Sequence, residues 1–418
     1  MKNTPWNRRD FISRVAGSLA ASPILKRPDF LFGQSTKSAP KMEPNAKPIY
    51  RTLGKTGISL PVVSMGVMNA DVPGLIPRSY ELGIRHFDTA ARYQQGRNEE
   101  MVGRMIKEMG VRDKVIISTK VLPPGWSRDR GEMALPTHSA AEVKARFLEV
   151  FDGSLKRLQM DYVDILYNHS ADSEAEVHSE GALEAMAELK KAGKARFLGV
   201  SSHKPDMALK EAMKMDVYDV VLIPLNFTKA NDAEFLKTIN EAAKRGFGLV
   251  AMKTQAGGAV KPDPKLGKPL TPASQTALLK WVLHHESIAT AIPGFTTYEQ
   301  LEQNFSVASN LAYSTEEQEF LSDKSAVASA QFCVQCSECR GDCPEGVDIP
   351  RLMRSHMYAV QYGNYALAEE TLASIARGKG LAACKDCESC RATCRNSVNI
   401  AMKIEHLKTL TANRVLAA

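Results

Sequence analysis

None of the eight cysteines in this 418-residue chain lies before Cys333. Structural disulfides are spread through the body they brace, so the first three quarters of the chain fold without them. Nowhere is there an apolar run long enough to cross a bilayer. No basic stripe is present either. The net charge of +7 comes from 54 basic and 47 acidic residues, and nine of the basic but only three of the acidic ones fall in the first fifty positions. The remainder is close to neutral, which argues against nucleic acid as a partner. A glycine-rich G-x-G-x-x-G turn after the first strand is missing, as is any flavin motif. Otherwise the chain has the ordinary makeup of a soluble globular protein, with 44% hydrophobic and 24% charged residues. Its length exceeds one ordinary domain.

The N-terminus, Asn7-Arg8-Arg9-Asp10-Phe11-Ile12-Ser13 followed by the weakly apolar stretch 15–22, resembles a twin-arginine export signal. The alternative is an ordinary basic tail. Residues 1–34 are read as this signal region and 35–49, rich in Lys, Pro and Ser, as a linker. From 50 to 312 short apolar segments alternate with amphipathic ones. The strand candidates are 62–65, 85–88, 115–119, 162–168, 196–200, 220–224, 248–252 and 288–292. Eight strand–helix units fit an α/β fold of the (β/α)8 TIM-barrel type. Alternation alone leaves a doubly wound open sheet as the other choice.

Residues 313–418 read as a separate all-α helical domain containing an internal repeat. Residues 333–353 are CVQCSECRGDCPEGVDIPRLM and 384–404 are CKDCESCRATCRNSVNIAMKI, with Val347/Val398 and Ile349/Ile400 in matching places. Each copy is C-x2-C-x2-C-x3-C, a run that suits a cubane better than zinc, whose sites pair two C-x2-4-C units. The pattern resembles bacterial two-cluster ferredoxins, and the long helical insert resembles their α-helical dicluster relatives. That resemblance implies two [4Fe-4S] clusters with crossed ligation: Cys333, Cys336 and Cys339 with Cys394, and Cys384, Cys387 and Cys390 with Cys343. Arg395 departs from the pattern, because a proline usually follows the last cysteine, as Pro344 does in the first copy.

In the barrel, four strand ends together resemble the aldo-keto reductase family. They are Arg85-His86-Phe87-Asp88-Thr89-Ala90 with Tyr93 and Gly96-Arg97-Asn98-Glu99-Glu100, then Ser118-Thr119-Lys120, then Asp164 to His169, then Gly199-Val200-Ser201-Ser202. Polar residues at the C-terminal ends of barrel strands converge on the mouth. A lysine ammonium near a tyrosine favours the phenolate and lowers its pKa from about 10. The resemblance implies that Tyr93 is the general acid in carbonyl reduction, with Asp88 holding Lys120 charged and His169 bonding the substrate oxygen. His138, His178, His203, His284 and His285 have no usable partner spacing and are read as surface or loop residues. Trp126 and the long loop 122–137 are candidates for substrate contact.

The resemblance further implies NADP(H), with NAD(H) as the alternative. Ser201, Ser202 and Asn226 would face its carboxamide, and Lys253, Gly257 and Gly258 its pyrophosphate. Gly294, Thr296, Thr297, Gln300 and Asn304 would meet the adenosine phosphate. Gly294 and Gln300 stand where a lysine and an arginine often grip the 2′-phosphate, so charge assistance is reduced. The expected enzyme is a nicotinamide-dependent oxidoreductase acting on an aldehyde or ketone, sugars included, or on the corresponding alcohol. The alternative is an iron–sulfur electron-transfer protein that uses its barrel as a docking scaffold. Further expected partners are a redox protein and the twin-arginine export machinery, with a periplasmic or otherwise exported location. That pathway moves folded chains, so clusters assembled in the cytoplasm travel already ligated. Anaerobically purified protein should contain about eight iron and about eight acid-labile sulfide per chain, and zinc in place of iron would exclude the cluster assignment.

Overall fold

The computed structural model describes residues 46–123, 138–255, 271–323, 333, 338–362, 364–385, 387, 390–394, 398–413 and 416. The export signal, most of the linker, Trp126, Gly257, Gly258, Cys336 and Arg395 lie outside this set.

An antiparallel hairpin, β1 (Tyr50–Thr52) and β2 (Ser59–Pro61), precedes eight parallel strands. These are β3 (Met65–Gly66), β4 (His86–Asp88), β5 (Ile116–Val121), β6 (Val163–Asn168), β7 (Ala195–Ser201), β8 (Val220–Pro224), β9 (Gly248–Met252) and β10 (Thr290–Ala291). They pair in sequence order, and the parallel bridges Val63 to Ala291 and Gly66 to Gly294 join the last strand to the first. The sheet is therefore closed, and the open doubly wound alternative is excluded. Every predicted strand overlaps an observed one. β6 and β8 are buried at every residue, because helices cover one face and the lumen the other.

The outer layer comprises α1 (Leu75–Leu82), α2 (Arg97–Met109), α3 (Ala140–Leu158), α4 (Glu174–Val177), α5 (Glu180–Lys191), α6 (Pro205–Ala212), α7 (Ala233–Lys244), α8 (Pro272–Leu283) and α9 (Tyr298–Ser306). Local chemistry sets their ends. Helix α3 opens on a capping box in which Glu142 N donates to Ser139 Oγ and the Glu142 carboxylate accepts from Ser139 N. Helix α8 opens on Thr271 with Pro272 in its first turn.

The lumen is filled by Ile165, Tyr167, Val220, Leu222 and Val250, joined by Leu53, Ile58 and Leu60 of the hairpin. Lys55 N donates to Gly246 O at 2.8 Å, just ahead of β9, so the hairpin stoppers the N-terminal end of the barrel. Gly54 makes this approach possible. Its φ is +53°, and a Cβ there would lie 2.3 Å from Gly248 N. Among the described residues, the C-terminal mouth is what remains open.

Helix α10 (Thr315–Ser322) lies within the region assigned by sequence to the second domain, but it packs on α8. Glu317, almost fully buried, accepts from Lys280 at 2.7 Å and from Thr276 at 2.6 Å. Beyond it are α11 (Ile349–His356), α12 (Tyr365–Ala373) and α13 (Ile400–Ala412). The sequence repeat is also a structural one. Asp348 caps α11 by accepting from Arg351 N at 3.2 Å, and Asn399 caps α13 by accepting from Met402 N at 3.0 Å. Val347, Val398, Ile349 and Ile400 share one core, and Cys333, Cys339, Cys343, Cys384 and Cys394 pack against it. The two copies are tied across by Asp342, which accepts from Thr393 N at 3.1 Å, and by the 2.9 Å pair of Lys385 with Glu345.

Candidate active site

The barrel mouth holds a cavity of about 1110 Å3. At its floor a buried polar chain begins at the ends of β4 and β5. Lys120 Nζ forms an ion pair with Asp88 Oδ2, and each side chain is 2% exposed. The same ammonium donates to Thr89 O at 2.6 Å and approaches the Tyr93 hydroxyl at 3.3 Å. Asp88 Oδ1 accepts from Ser118 Oγ at 2.6 Å, and Ser118 Oγ lies 2.9 Å from His86 Nε2. Since the Ser118 proton points to Asp88, His86 donates through Nε2, and its buried Nδ1 has no partner.

Burial disfavours the Lys120 ammonium, but Asp88 and Tyr93 outweigh it and raise the pKa, so the lysine stays charged. Tyr93 departs from the sequence expectation. Lys120 does pull its pKa down, yet burial is the largest influence and the net direction is upward. The phenol therefore keeps its proton at neutral pH.

Tyr93 begins a strained turn. Gln94 and Gln95 have φ of 51° and 57°, and Gly96 follows at 91° before α2 starts. The turn is held by the Gln94 amide, which donates to Met68 O at 3.3 Å and Ala70 O at 3.2 Å. Asn98 and Glu99 are supports. Asn98 bonds Thr89 and Val67 O, and buried Glu99 accepts from Thr119 and Arg157. His169 follows β6 and packs edge-on against Tyr93, with ring centres 5.9 Å apart. All four tetrad residues line the cavity.

Of the residues assigned to the cofactor, Ser201, Lys253, Gly294, Thr296, Thr297, Gln300 and Asn304 line the cavity. Ser202 and Asn226 do not. The Ser202 hydroxyl donates to Asp172 at 3.0 Å, and Asn226 caps the turn Phe227–Lys229 and donates to Lys253 O at 3.2 Å. Both are satisfied within the scaffold. Gln300 also turns inward, its Oε1 accepting from Thr296 N at 2.8 Å. The buried Thr254 hydroxyl lines the cavity with no protein partner, beside Gln255 and Gln275, which bond Asn304 and Gln303 respectively. His203, read from sequence as a surface or loop residue, lies in the loop after β7 and lines the cavity, and its backbone N–H donates to Asp172 at 2.6 Å.

The far wall has no counterpart in the sequence reading. Arg351, Arg354, Met357, Tyr358, Tyr362 and Asn364 of the cysteine-bearing region face the mouth. That region thus covers the site instead of trailing behind the barrel. Tyr362 is pushed upward in pKa by burial, with Tyr358, Cys333 and Tyr93 adding to the effect.

None of the seven described cysteines forms a disulfide. Cys384 feels the charges of Cys343, Cys390 and Cys387, and Lys403 feels Cys333 and Cys394. These are the groupings that crossed ligation implies. Among the described residues no three Cys, His, Asp or Glu side chains converge closely enough for a single metal ion.

Comparison with known proteins gives a consistent picture. A family model described as the Aldo/keto reductase family matches residues 69–278, half of the chain. The chain is 27% identical over 320 residues to L-glyceraldehyde 3-phosphate reductase of Escherichia coli O157:H7, covering 64% of this chain and 90% of that protein. It is 27% identical over 311 residues to L-galactose dehydrogenase of Arabidopsis thaliana, covering 66% and 93%. Among solved structures, the holo form of aldo-keto reductase AKR11C1 from Bacillus halodurans superposes with a TM-score of 0.53 at 24% identity, over 66% of this chain and 95% of that one. An aldo/keto reductase from Klebsiella pneumoniae in complex with NADP and acetate gives 0.50 at 20% identity, over 67% and 96%.

Burial lowers the His86 pKa from 6.5 to about 4. The unfolded chain therefore binds a proton between these values that the folded chain refuses. This contribution to stability is complete above pH 6.5 and is lost as pH falls through about 4. Denaturant titrations should show unfolding free energy about 2 kcal/mol lower at pH 5 than at pH 7 from this group. His86→Asn should flatten that part of the profile, and an unchanged slope would remove His86 as its source.

Proposed function

Because the chain belongs to the aldo/keto reductase family of oxidoreductases, we propose that it reduces an aldehyde or ketone, or oxidises the corresponding alcohol, at the Tyr93 end of its barrel mouth. The observation that carries this reading is the contact of the charged, buried Lys120 with the protonated Tyr93 hydroxyl at 3.3 Å. A bound nicotinamide supplies or accepts the hydride. Ser201, Lys253, Gly294, Thr296, Thr297, Gln300 and Asn304 are the residues to hold it, and the unpartnered Thr254 hydroxyl offers a further bond. NADP(H) is favoured, in keeping with the Klebsiella relative.

The chain's own residues manage the proton. Tyr93 donates its hydroxyl proton to the substrate oxygen, and the phenolate left behind is stabilised by the ammonium beside it. Asp88 keeps Lys120 charged and fixes its position, and Ser118 and Thr89 O fix the pair in turn. His169, edge-on to the Tyr93 ring, orients the carbonyl.

Two [4Fe-4S] clusters are part of the proposal. Cys333, Cys336, Cys339 and Cys394 would hold one, and Cys384, Cys387, Cys390 and Cys343 the other. Cysteines outside any disulfide and grouped in that crossed manner support the reading. Held in that way, the clusters would staple the two repeats together. Export through the twin-arginine pathway, guided by Arg8 and Arg9, follows from the same proposal, since folded, loaded protein is that pathway's cargo.

Tyr93→Phe should lower kcat for carbonyl reduction by about 1000-fold while leaving nucleotide affinity, titrated with both NADPH and NADH, within about twofold. Retained activity would refute the assignment. Lysine at both Arg8 and Arg9 should keep the protein in the cytoplasmic fraction, and undiminished appearance in the periplasm would exclude this export route.

A further inference from the structure

Residues 357–361 form a π-turn directly after α11, closed by a bond from Tyr362 N to Met357 O at 3.1 Å. Such turns hold one more residue per loop than an α-helix, which costs stability and swings side chains to new directions, and they gather at functional sites. This one faces the barrel. Met357 is buried against Leu278 of α8, with Phe227 and Phe320 packed around them. Asn364 closes the turn by donating its backbone N–H to Tyr358 O at 2.8 Å, and its side-chain amide donates to Asn69 Oδ1 after β3 at 3.3 Å. The segment is thus pinned to the barrel on both flanks.

Between those pins the turn sets Tyr358 and Tyr362 side by side, ring centres 5.9 Å apart and tilted by 36°. Tyr358 lines the same cavity as Tyr93 and lies within its electrostatic reach. Among the described residues its hydroxyl makes no hydrogen bond, so the group is left for a ligand. Asn364 adjoins it and its amide reaches Asn69, while Gln94, Met68 and Leu122 line the same cavity. Amides and phenols both donate and accept without net charge, and a ring face offers apolar surface. That combination suits a hydroxylated carbon chain, which shows C–H bonds on one side and hydroxyls on the other.

We propose that Tyr358, delivered by the π-turn of the cysteine-bearing domain, determines specificity in the barrel's site by binding a hydroxyl adjacent to the substrate carbonyl. The site selects hydroxylated aldehydes and ketones over unsubstituted ones, and it does so with a residue from outside the barrel. The inference rests on the carbonyl-reduction reading. It also gives the appended domain a task that electron transfer is not needed to explain, since it builds one wall of the cavity.

Glyceraldehyde and propanal, equal in carbon number, separate the hydroxyl term from the carbonyl term. The test compares the full-length, anaerobically purified wild type with Tyr358→Phe and Tyr358→Ala on both aldehydes, with nucleotide affinity measured alongside. Loss of one neutral hydrogen bond in Tyr358→Phe should lower kcat/KM for glyceraldehyde about tenfold, chiefly through KM, and leave propanal within about twofold. Tyr358→Ala should widen the gap further, and nucleotide affinity should hold in both. An unchanged preference between the aldehydes overturns the proposal. Equal losses on both aldehydes also overturn it, because a merely structural role produces that pattern. A wild type that reduces neither aldehyde overturns the reductase reading itself.

Discussion

A lysine ammonium 2% exposed at the foot of an open mouth exists only because a carboxylate lies against it. Removing a charge from water costs several kcal/mol unless a partner and hydrogen bonds replace the lost solvation. Asp88 supplies the partner, and Thr89 O and Ser118 complete the shell around the pair. The demand propagates outward. Ser118 must point its proton at Asp88, so His86 must donate and remain neutral. Thr89 must be held, so Asn98 is committed to it. The Tyr93 turn must bring a phenol to 3.3 Å from the ammonium, and it accepts two left-handed glutamines to do so. The site's polar order follows from keeping one charge dry.

The same pair sets proton traffic. Desolvation holds the Tyr93 proton on, while the neighbouring ammonium makes its departure less costly than desolvation alone would allow. The two influences act on different states. One keeps the acid loaded in the resting enzyme and the other stabilises what remains after transfer. A tyrosine whose resting pKa were simply depressed would arrive at the reaction already deprotonated.

Much of this was legible in the sequence. The eight strands stood out because each is a short apolar run bounded by polar residues, and the tetrad did because Asp88, Lys120 and His169 each sit at a strand's C-terminal end with Tyr93 just beyond. The cysteine repeat was legible in its matched Val347/Val398 and Ile349/Ile400, and the structure adds the caps Asp348 and Asn399 at matching places. Three features were not. Ser202 and Asn226 sit in the expected register, but hydrogen bonds to Asp172 and Lys253 O turn them into the scaffold, and spacing does not encode side-chain direction. The net direction of the Tyr93 shift depends on how deeply the group is buried, which a motif does not state. The wall built from Tyr358, Tyr362 and Asn364 was hidden because residues 347–404 carry a hydrophobic core of their own. Such a segment reads as a free-standing domain whichever side of the barrel it docks on.

The stoppered base of the barrel has a consequence for traffic. With Gly54 seated against Gly248 and Leu53 filling the lumen, the vessel has a single neck, and a helical shoulder narrows that neck further. Whatever enters or leaves the described lumen does so past Tyr93 and the helices of the cysteine-bearing region.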